Sequence, residues 1–291
     1  LIKVRLEKLA ELKAKGIDPF PYTYDQTDFA AAVVEKFKAL KEGEESQETV
    51  SLAGRIMTKR GHGKASFATI QDQTGRVQVY AKQDLIGEDQ YAIYAKLDMG
   101  DFIGVKGHVF RTKTGEITVR IAAFTLLSKS LHPLPEKWHG LQDKELRYRE
   151  RYVDLMVNPE VKAVFVKRSK IVSLIRKFLE ERGFLEVETP LLHVLPGGAA
   201  AKPFETFHDA LNMPLFLRIA PELYLKRLIV GGFERVFEMG RVFRNEGMSY
   251  KHNPEYTILE IYQAYADYND VMKLTEELIV TAAKAVLGTL Q

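Results

Sequence analysis

The chain has 291 residues, 46% of them apolar, and contains no cysteine. This length predicts two domains with ordinary hydrophobic cores, and the lack of cysteine excludes disulfides and thiolate metal sites in these residues and fits a reducing compartment. The formal net charge is only +3, so a contact with nucleic acid would have to come from local patches, and no apolar run approaches the ~18 residues that a membrane span needs.

The first 48 residues predict a helical extension. Leu6, Leu9 and Leu12 recur on one face of a first helix, which Gly16 ends. A second helix and a polar linker follow. The predicted segments are 1–15, 28–42 and 42–48. Because the sequence opens inside an apparent helix and without Met, we expect it to start partway into a longer protein.

Residues 49–128 predict a small β domain. Five segments alternate between apolar and polar residues, and a helix separates the third from the fourth. The predicted strands are 50–59, 65–72, 76–82, 101–111 and 116–127, and the helix is 88–97. This order is that of an OB-fold, whose strand 2–3 face commonly binds oligonucleotides. A generic small barrel is the alternative.

The phase of strands two and three places aromatic and polar side chains together on the outer face. Alternation directs Ala68, Ile70, Val77 and Val79 inward. The residues that this phase directs outward are Phe67, Arg76, Gln78 and Tyr80. Aromatic rings beside amide and guanidinium groups suit the stacking and edge recognition of single-stranded RNA.

A charged linker with two prolines, residues 129–152, connects this domain to the next. Its basic end could contact an RNA backbone, although a solvated linker accounts for most of its charges. We expect Trp138 to anchor the linker by packing.

Residues 153–291 begin with a helix and a short strand. The helix starts at Asn158-Pro159-Glu160 and runs to Arg182, and Gly183 is the predicted C-cap. A strand over 184–189 ends at Pro190. Next come a glycine-rich turn over 195–204 and a helix from Pro221 that carries Glu222 in its first turn. Glu222 could bind a ligand or only complement the helix dipole.

Downstream, residues 237–268 predict an antiparallel hairpin whose strands carry charges on one face. One arm combines Val236, Glu238, Val242, Arg244 and Glu246, and the other combines Tyr256, Ile258, Glu260 and Tyr262. Charges inside such alternation are costly unless a ligand meets them. The alternative is a half-solvated hairpin with a cross-strand ion pair. A final helix is predicted over 270–287.

Several of these segments resemble the class II aminoacyl-tRNA synthetases. Phe243-Arg-Asn-Glu-Gly, followed by His252-Asn-Pro-Glu-Tyr-Thr, is similar to motif 2 of that class, and the helix, strand and proline before it resemble motif 1. Leu195-Pro-Gly-Gly-Ala-Ala-Ala-Lys-Pro-Phe, Ala220-Pro-Glu-Leu-Tyr-Leu and the preceding OB-like domain resemble the bacterial type of lysyl-tRNA synthetase over essentially the whole chain. The aspartyl and asparaginyl enzymes share this domain order and remain the alternative within the class.

The resemblance implies an α+β protein with an N-terminal five-stranded OB-fold barrel and an incomplete class II catalytic domain built on an antiparallel sheet. It implies a cytoplasmic ligase that activates L-lysine with ATP and Mg²⁺ and transfers it to tRNA(Lys). It also implies a homodimer through residues 159–190.

The resemblance further assigns roles to single residues. The implied ATP-binding residues are Arg244, Glu246, His252, Asn253 and Tyr256, with Arg244 also catalytic. The implied lysine-binding residues are Gly198, Glu222, Arg244, Glu260 and Tyr262. The anticodon-binding residues are Phe67, Gln78 and Glu116, joined by Arg76 from the strand phase.

The sequence departs from the class pattern where it stops. Motif 3, with a second ATP-binding arginine, is missing before Gln291, as are the acidic segment for Mg²⁺ and the glutamate that pairs with the lysine ε-ammonium. We therefore expect no metal site within this chain, metal ligands beyond residue 291, and no catalysis by residues 1–291 alone. An RNA-binding module without ligase activity is the competing hypothesis.

Overall fold

The computed structural model describes residues 1–135, 141, 143–249 and 251–291, apart from the side chain of His62. Trp138, predicted to anchor the linker, lies outside the described residues. The chain divides into two compact units, Leu1–Asn158 and Pro159–Gln291. Among the described residues, no helix combines the length and apolarity needed to cross a membrane.

The first unit is built around a closed five-stranded barrel in the order β1-β2-β3-β5-β4. Its strands are β1 (Glu45–His62), β2 (Ala65–Gln71), β3 (Arg76–Lys82), β4 (Phe102–Arg111) and β5 (Ile117–Ser128). Its helices are α1 (Ile2–Ala14), α2 (Ala30–Phe37), α3 (Gln83–Ile86), α4 (Glu88–Lys96), α5 (Lys144–Arg149) and α6 (Arg151–Val157). The five predicted strands and the helix after the third are confirmed, with small shifts at their ends.

The barrel core confirms the predicted strand phase. Ala68 and Ile70 of β2 and Val77 and Val79 of β3 are at most 2% exposed. Phe67, which alternates with them, is 38% exposed. The inward side chains are apolar and small enough to fill a narrow barrel, so the outer face is left for polar and aromatic residues.

The N-terminal helices contribute to the same core as the barrel. Leu12 of α1 and Val33 and Phe37 of α2 belong to its cluster of buried side chains. The predicted apolar face of α1 is partly wrong, because Leu6 is 46% exposed whereas Arg5 is buried. Burial of Arg5 is possible since its guanidinium donates to the carbonyls of Met99, Ser130 and His132 at 3.0–3.1 Å.

The predicted polar linker over 42–48 is wrong from Glu45 onward. β1 begins there because Glu45 pairs with Phe110 of β4, and the pairing continues from Thr49 opposite His108. A long-range strand partner therefore overrides a local composition that favours a loop.

A buried ionic cluster closes one end of the barrel. The Lys129 side chain is fully buried, and its ammonium lies 2.9 Å from the Asp101 carboxylate and 2.7 Å from that of Asp98. Asp101 also accepts from the Ser130 amide at 2.8 Å. A buried ammonium needs such partners, so this cluster joins the end of β5 to the start of β4.

The second unit contains two three-stranded sheets, ordered β11-β10-β6 and β7-β9-β8. Its strands are β6 (Leu185–Glu186), β7 (Leu192–His193), β8 (Glu205–His208), β9 (Met213–Leu217), β10 (Arg235–Phe243) and β11 (Glu255–Gln263). Its helices are α7 (Pro159–Glu180), α8 (Glu222–Val230) and α9 (Tyr268–Leu287). The expected antiparallel sheet is found for β10 and β11, whereas β6 joins β10 in parallel.

Helix α7 begins at the predicted Pro159 and ends two residues early. The chain turns out of the helix through Gly183, whose φ of +78° is a conformation that favours glycine. The strand predicted over 184–189 pairs only at Leu185–Glu186. Behind the sheet, Phe178, Leu179 and Phe237 form the buried core of this unit.

Candidate functional site

The hairpin of β10 and β11 brings the predicted charged faces together. Its register pairs Val242 with Tyr256 and places Glu238 directly opposite Glu260. The predicted antiparallel hairpin is thereby confirmed. Side chains at these paired positions share one face of the sheet.

The tip of the hairpin differs from the prediction. β10 ends at Phe243, so Arg244 and Glu246 lie in the connecting loop and not on the strand. The Arg244 amide still donates to the Pro254 carbonyl at 2.8 Å, but the Glu246 amide turns back to the Arg244 carbonyl at 2.9 Å. This local turn ends the ladder.

An open pocket of about 360 Å³ lies at this tip. It gathers all five residues predicted to bind ATP. Its lining consists of Arg244, Glu246, Gly247, Lys251, His252, Asn253, Pro254 and Tyr256. Two cations, an imidazole and an aromatic ring in one pocket suit a ligand that combines an anionic group with a planar ring.

Arg244 has unused hydrogen-bonding capacity in this pocket. Within the described part of the chain, its buried Nε has no hydrogen-bond partner. Its guanidinium carbon lies 5.5 Å from the centre of the Tyr256 ring. A buried donor without an acceptor is costly, so an anionic ligand would satisfy a group that the fold leaves unpaired.

The loop that carries His252 is held by a tight turn. Ser249 and His252 exchange main-chain hydrogen bonds at 3.0 and 3.2 Å. The Ser249 hydroxyl also hydrogen-bonds His252 Nδ1 at 2.8 Å. These contacts fix the imidazole at the rim of the pocket and leave its Nε2 side directed away from Ser249.

A second group of predicted residues forms a carboxylate cluster. The Tyr262 hydroxyl donates to the Glu260 carboxylate at 3.2 Å. Burial raises the pKa of Glu260; the Tyr262 hydrogen bond opposes this effect, and the charges of Glu222 and Glu238 add to it. Burial also raises the pKa of the Tyr262 hydroxyl. Carboxylates held together at a cost are typical of a site that receives a cation.

Gly198 contacts this cluster through its backbone. Its φ is +86°, and a Cβ at this position would lie 2.9 Å from the Cβ of Glu222 and 3.1 Å from that of Ala220. Glu222 also binds Lys226 one turn further along α8, with the Nζ and Oε1 atoms 2.6 Å apart. Only glycine permits the turn to approach α8 this closely.

The sequence analysis placed Glu238 on the correct face of the hairpin but missed its partner, Arg218. Arg218 is 1% exposed and Glu238 is 3% exposed. Their side chains form an ion pair at 2.5 Å, so Glu238 is not free to meet a ligand. The signal that could have found this pair is Gly240, because a glycine inside a strand often marks the close approach of another group.

On the barrel, the structure places Phe67, Arg76 and Gln78 on the outer face of β2 and β3. The Phe67 and Tyr80 rings lie 4.6 Å apart at 37°. Gln78 Oε1 accepts from the Thr118 hydroxyl at 2.8 Å, which fixes the orientation of its amide. Glu116 is exposed just before β5, two residues from Thr118. The aromatic row also continues to Phe110, 6.1 Å from Tyr80, which the sequence analysis missed because it lies on a distant strand.

Comparison with protein families gives one match to the barrel domain and one to the part of the chain that contains the hairpin. Residues 50–127 match the OB-fold nucleic acid binding domain. Residues 143–291, just over half of the chain, match the tRNA synthetases class II (D, K and N). The chain belongs to the class II tRNA synthetases. The predicted recognition of this family and of the OB-fold is therefore confirmed.

Curated relatives of this class II synthetase chain carry the name lysine–tRNA ligase. One from Carboxydothermus hydrogenoformans is 61% identical over 291 residues, covering 100% of this chain and 59% of the relative. One from Pelotomaculum thermopropionicum is 60% identical over 99% of this chain and 56% of the relative. One from Halalkalibacterium halodurans is 57% identical over 99% of this chain and 58% of the relative. The chain thus spans less than three fifths of the length of these relatives.

The described residues do not by themselves fit a metal ion. In those parts of the chain, no group of three or more His, Asp or Glu side chains could hold one. Class II synthetases are expected to use Mg²⁺ together with ATP, but the side chains that the structure describes give no basis for placing it.

Proposed function

We propose that this chain is the anticodon-binding and ATP-binding part of a lysine–tRNA ligase. Such an enzyme activates L-lysine with ATP to lysyl-adenylate and transfers the lysyl group to tRNA(Lys). The observation that carries the proposal is Arg244, which lines the pocket beside Tyr256 and whose buried Nε has no hydrogen-bond partner among the described residues. The carboxylate cluster around Glu260, with Glu222 and Glu238, would form the second half of the site.

For ATP, the proposed residues are Arg244, Glu246, His252, Asn253 and Tyr256. In activation, the lysine carboxylate attacks the α-phosphorus and pyrophosphate leaves. A fixed guanidinium stabilises the charge that develops on the phosphoryl oxygens, which is the proposed catalytic role of Arg244. Tyr256 would stack on the adenine, and Glu246 and Asn253 would hydrogen-bond it. His252 would lie towards the outer phosphates.

For lysine, the proposed residues are Gly198, Glu222, Glu260 and Tyr262, together with Arg244 at the carboxylate. Glu222, Glu260 and the Gly198 backbone would surround the α-amino group, and Tyr262 would meet the ε-ammonium. Carboxylates beside a substrate with two ammonium groups provide charge complementarity, because a buried ammonium needs partners. Glu260 must be ionised for this role.

For tRNA, the proposed anticodon-reading residues are Phe67, Arg76, Gln78 and Glu116. Phe67 offers a partly exposed ring for base stacking, and the fixed Gln78 amide offers edge hydrogen bonds. We further propose the domain boundaries 1–48, 49–128, 129–152 and 153–291, action in the cytoplasm, and Mg²⁺ held by residues outside this chain.

We also propose a homodimer through residues 159–190. On α7, Val164 is 63% exposed and Val166 is 61% exposed. Leu185 on the following strand is 48% exposed. Apolar side chains in contact with water along one segment are typical of an association surface.

Amino-acid-dependent pyrophosphate exchange tests the proposed function. The assay uses a protein of the relatives' full length that carries this sequence, with lysine, aspartate or asparagine as the only amino acid. We expect exchange with lysine alone. Exchange with aspartate or asparagine would assign another member of the class, and RNA binding without any exchange would support an RNA-binding module instead.

A further inference from the structure

Arg218 is the largest of the fully buried side chains in the described chain. Its guanidinium donates to the Glu238 carboxylate at 2.5 Å and to the Arg241 carbonyl at 2.8 Å. The Thr189 hydroxyl accepts from Arg218 at 3.1 Å and donates to Glu238 at 2.7 Å. Each partner is fixed by another, so the arginine has a single defined position.

The backbone of β10 is built to admit this guanidinium. A Cβ on Gly240 would lie 2.3 Å from Arg218 Nη2, far inside contact distance. The strand therefore lacks a side chain where the arginine crosses it. Arg218 reaches Glu238 through this opening, and Glu238 is the direct cross-strand partner of Glu260.

A buried ion pair is a poor means of stabilising a fold, since desolvation offsets most of the attraction. Its position here suggests another use. Two carboxylates face each other across β10 and β11, and only one of them has a cation of its own. Without Arg218, Glu238 and Glu260 would repel each other, and the pair would retain a proton.

We propose that Arg218 is a positioning residue for the amino-acid subsite, and that it neutralises Glu238 so that Glu260 is the carboxylate free to receive the substrate ammonium. This inference rests on the proposed function. Arg218 itself does not touch the substrate; it acts through the charge of Glu238.

The groups that face Glu260 define what each substitution should do. They are Arg218 after β9, Glu222 on α8 with its partner Lys226, Glu238 on β10 and Tyr262 on β11. Arg168 of α7 donates to the Thr257 hydroxyl of β11 at 3.2 Å, on the face of the strand opposite to Glu260. Among the neighbours of Glu260, Arg218 lowers its pKa, and Glu222 and Glu238 raise it.

The test compares Arg218→Gln, Glu238→Gln and the double variant in the full-length protein. The readout is the pH dependence of kcat/KM for lysine in pyrophosphate exchange. Arg218→Gln removes a positive charge, so its acid limb should move up by about one pH unit. At pH values below both limbs its KM for lysine should rise about tenfold, with kcat changed less than about threefold, and the difference should shrink as the pH rises above the limb. Glu238→Gln removes a negative charge, so its limb should move down, and the double variant should return close to the wild-type limb.

Opposite shifts of the acid limb in Arg218→Gln and Glu238→Gln would distinguish a positioning role of Arg218 from a purely structural one. If Arg218 only stabilises the fold, both single variants lose the same ion pair and should change in the same way, which would overturn the inference. Glu238→Gln keeps the shape and hydrogen bonds of Glu238, so a limb that does not move down refutes the inference even if Arg218→Gln fails to fold.

Two controls complete the design. Arg176→Gln removes another ion pair of the same unit, between Arg176 and Glu186 at 2.9 Å, and should leave the limb unchanged. Wild-type exchange with lysine tests the proposed function separately. If the wild type is active but the acid limbs of Arg218→Gln and Glu238→Gln do not move in opposite directions, only the role of Arg218 is refuted. If the wild type shows no lysine-dependent exchange, the proposed function itself fails.

Discussion

Replacing Phe67 by alanine should weaken RNA binding much more than it destabilises the protein. Phe67 is 38% exposed on the outer face of the barrel, and its ring lies 4.6 Å from that of Tyr80. Loss of one base–aromatic stack costs about 1–3 kcal/mol, or roughly 5- to 150-fold in Kd. Loss of the ring pair with Tyr80 should cost only about 0.5–1.5 kcal/mol of folding free energy beyond the lost burial.

Phe20→Ala is a matched control, because Phe20 is 42% exposed in the same unit but lies outside the barrel strands. It should leave RNA affinity unchanged. A second comparison is Ile70→Ala on the inner face of β2, where the side chain is 1% exposed. Truncation there should cost about 2–5 kcal/mol of folding free energy.

The assay is fluorescence anisotropy with a labelled anticodon stem-loop of tRNA(Lys), at several salt concentrations, together with urea denaturation of each variant. Salt dependence separates phosphate contacts from stacking, since loss of a stack should lower affinity without changing the salt slope. If Phe67→Ala loses several kcal/mol of stability and retains its RNA affinity, Phe67 is a core residue. If Phe20→Ala weakens binding as much as Phe67→Ala, the outer face of β2 and β3 does not read the RNA.

Three further predictions concern the site, the barrel and the association surface. Arg244→Ala in the full-length protein should lower the rate of lysine activation by at least ~10²-fold with little change in tRNA binding. Arg241→Ala, in an exposed pair with Glu255, should have little effect on activation or on tRNA binding. Pyrophosphate exchange measures activation and anisotropy measures tRNA binding, and equal losses of the two in Arg244→Ala would indicate misfolding. Asp101→Asn removes one of the two carboxylates that pair with the buried Lys129 ammonium and should cost more than about 1 kcal/mol and up to about 3–5 kcal/mol in urea denaturation, against less than about 1 kcal/mol for Glu35→Gln in an exposed pair. Similar costs would mean that the cluster adds nothing by burial. Val164→Asp on α7 should shift the full-length protein towards monomer in analytical ultracentrifugation, and an unchanged sedimentation profile would exclude this part of α7 from the dimer contact.

The sequence predicted best those features that depend on local alternation. The inward positions of β2 and β3 are apolar at every second residue, and a strand can satisfy that pattern in only one phase. The hairpin was predicted for the same reason, since Gly247 and Asn253-Pro254 bracket two alternating arms. Side chains that the pattern set on one face, such as Glu260 and Tyr262, are therefore found together.

The features that the sequence could not predict depend on contacts between distant segments. Arg5 lies in an amphipathic helix, where an arginine normally faces water. It is buried instead, because three carbonyls more than ninety residues away accept its hydrogen bonds. Glu45 lies in a run of polar residues, but its pairing with Phe110 makes it part of a strand. In neither case does the neighbouring sequence contain the partner that determines the structure.

Glu238 and Glu260 show how far a pattern can define a site. Both are glutamates on the same face of one hairpin, and they are direct cross-strand partners. The alternating sequence pattern does not distinguish the two residues. In the structure, however, Glu238 is buried against Arg218, whereas Glu260 is half-buried beside Tyr262. The difference arises from Arg218, which approaches over the face that Glu238 and Gly240 share, and that approach depends on the missing side chain of Gly240. The alternation along a strand thus determines which face of the sheet a charged residue occupies. Whether that residue is available to a ligand depends on a segment outside the two strands of the hairpin.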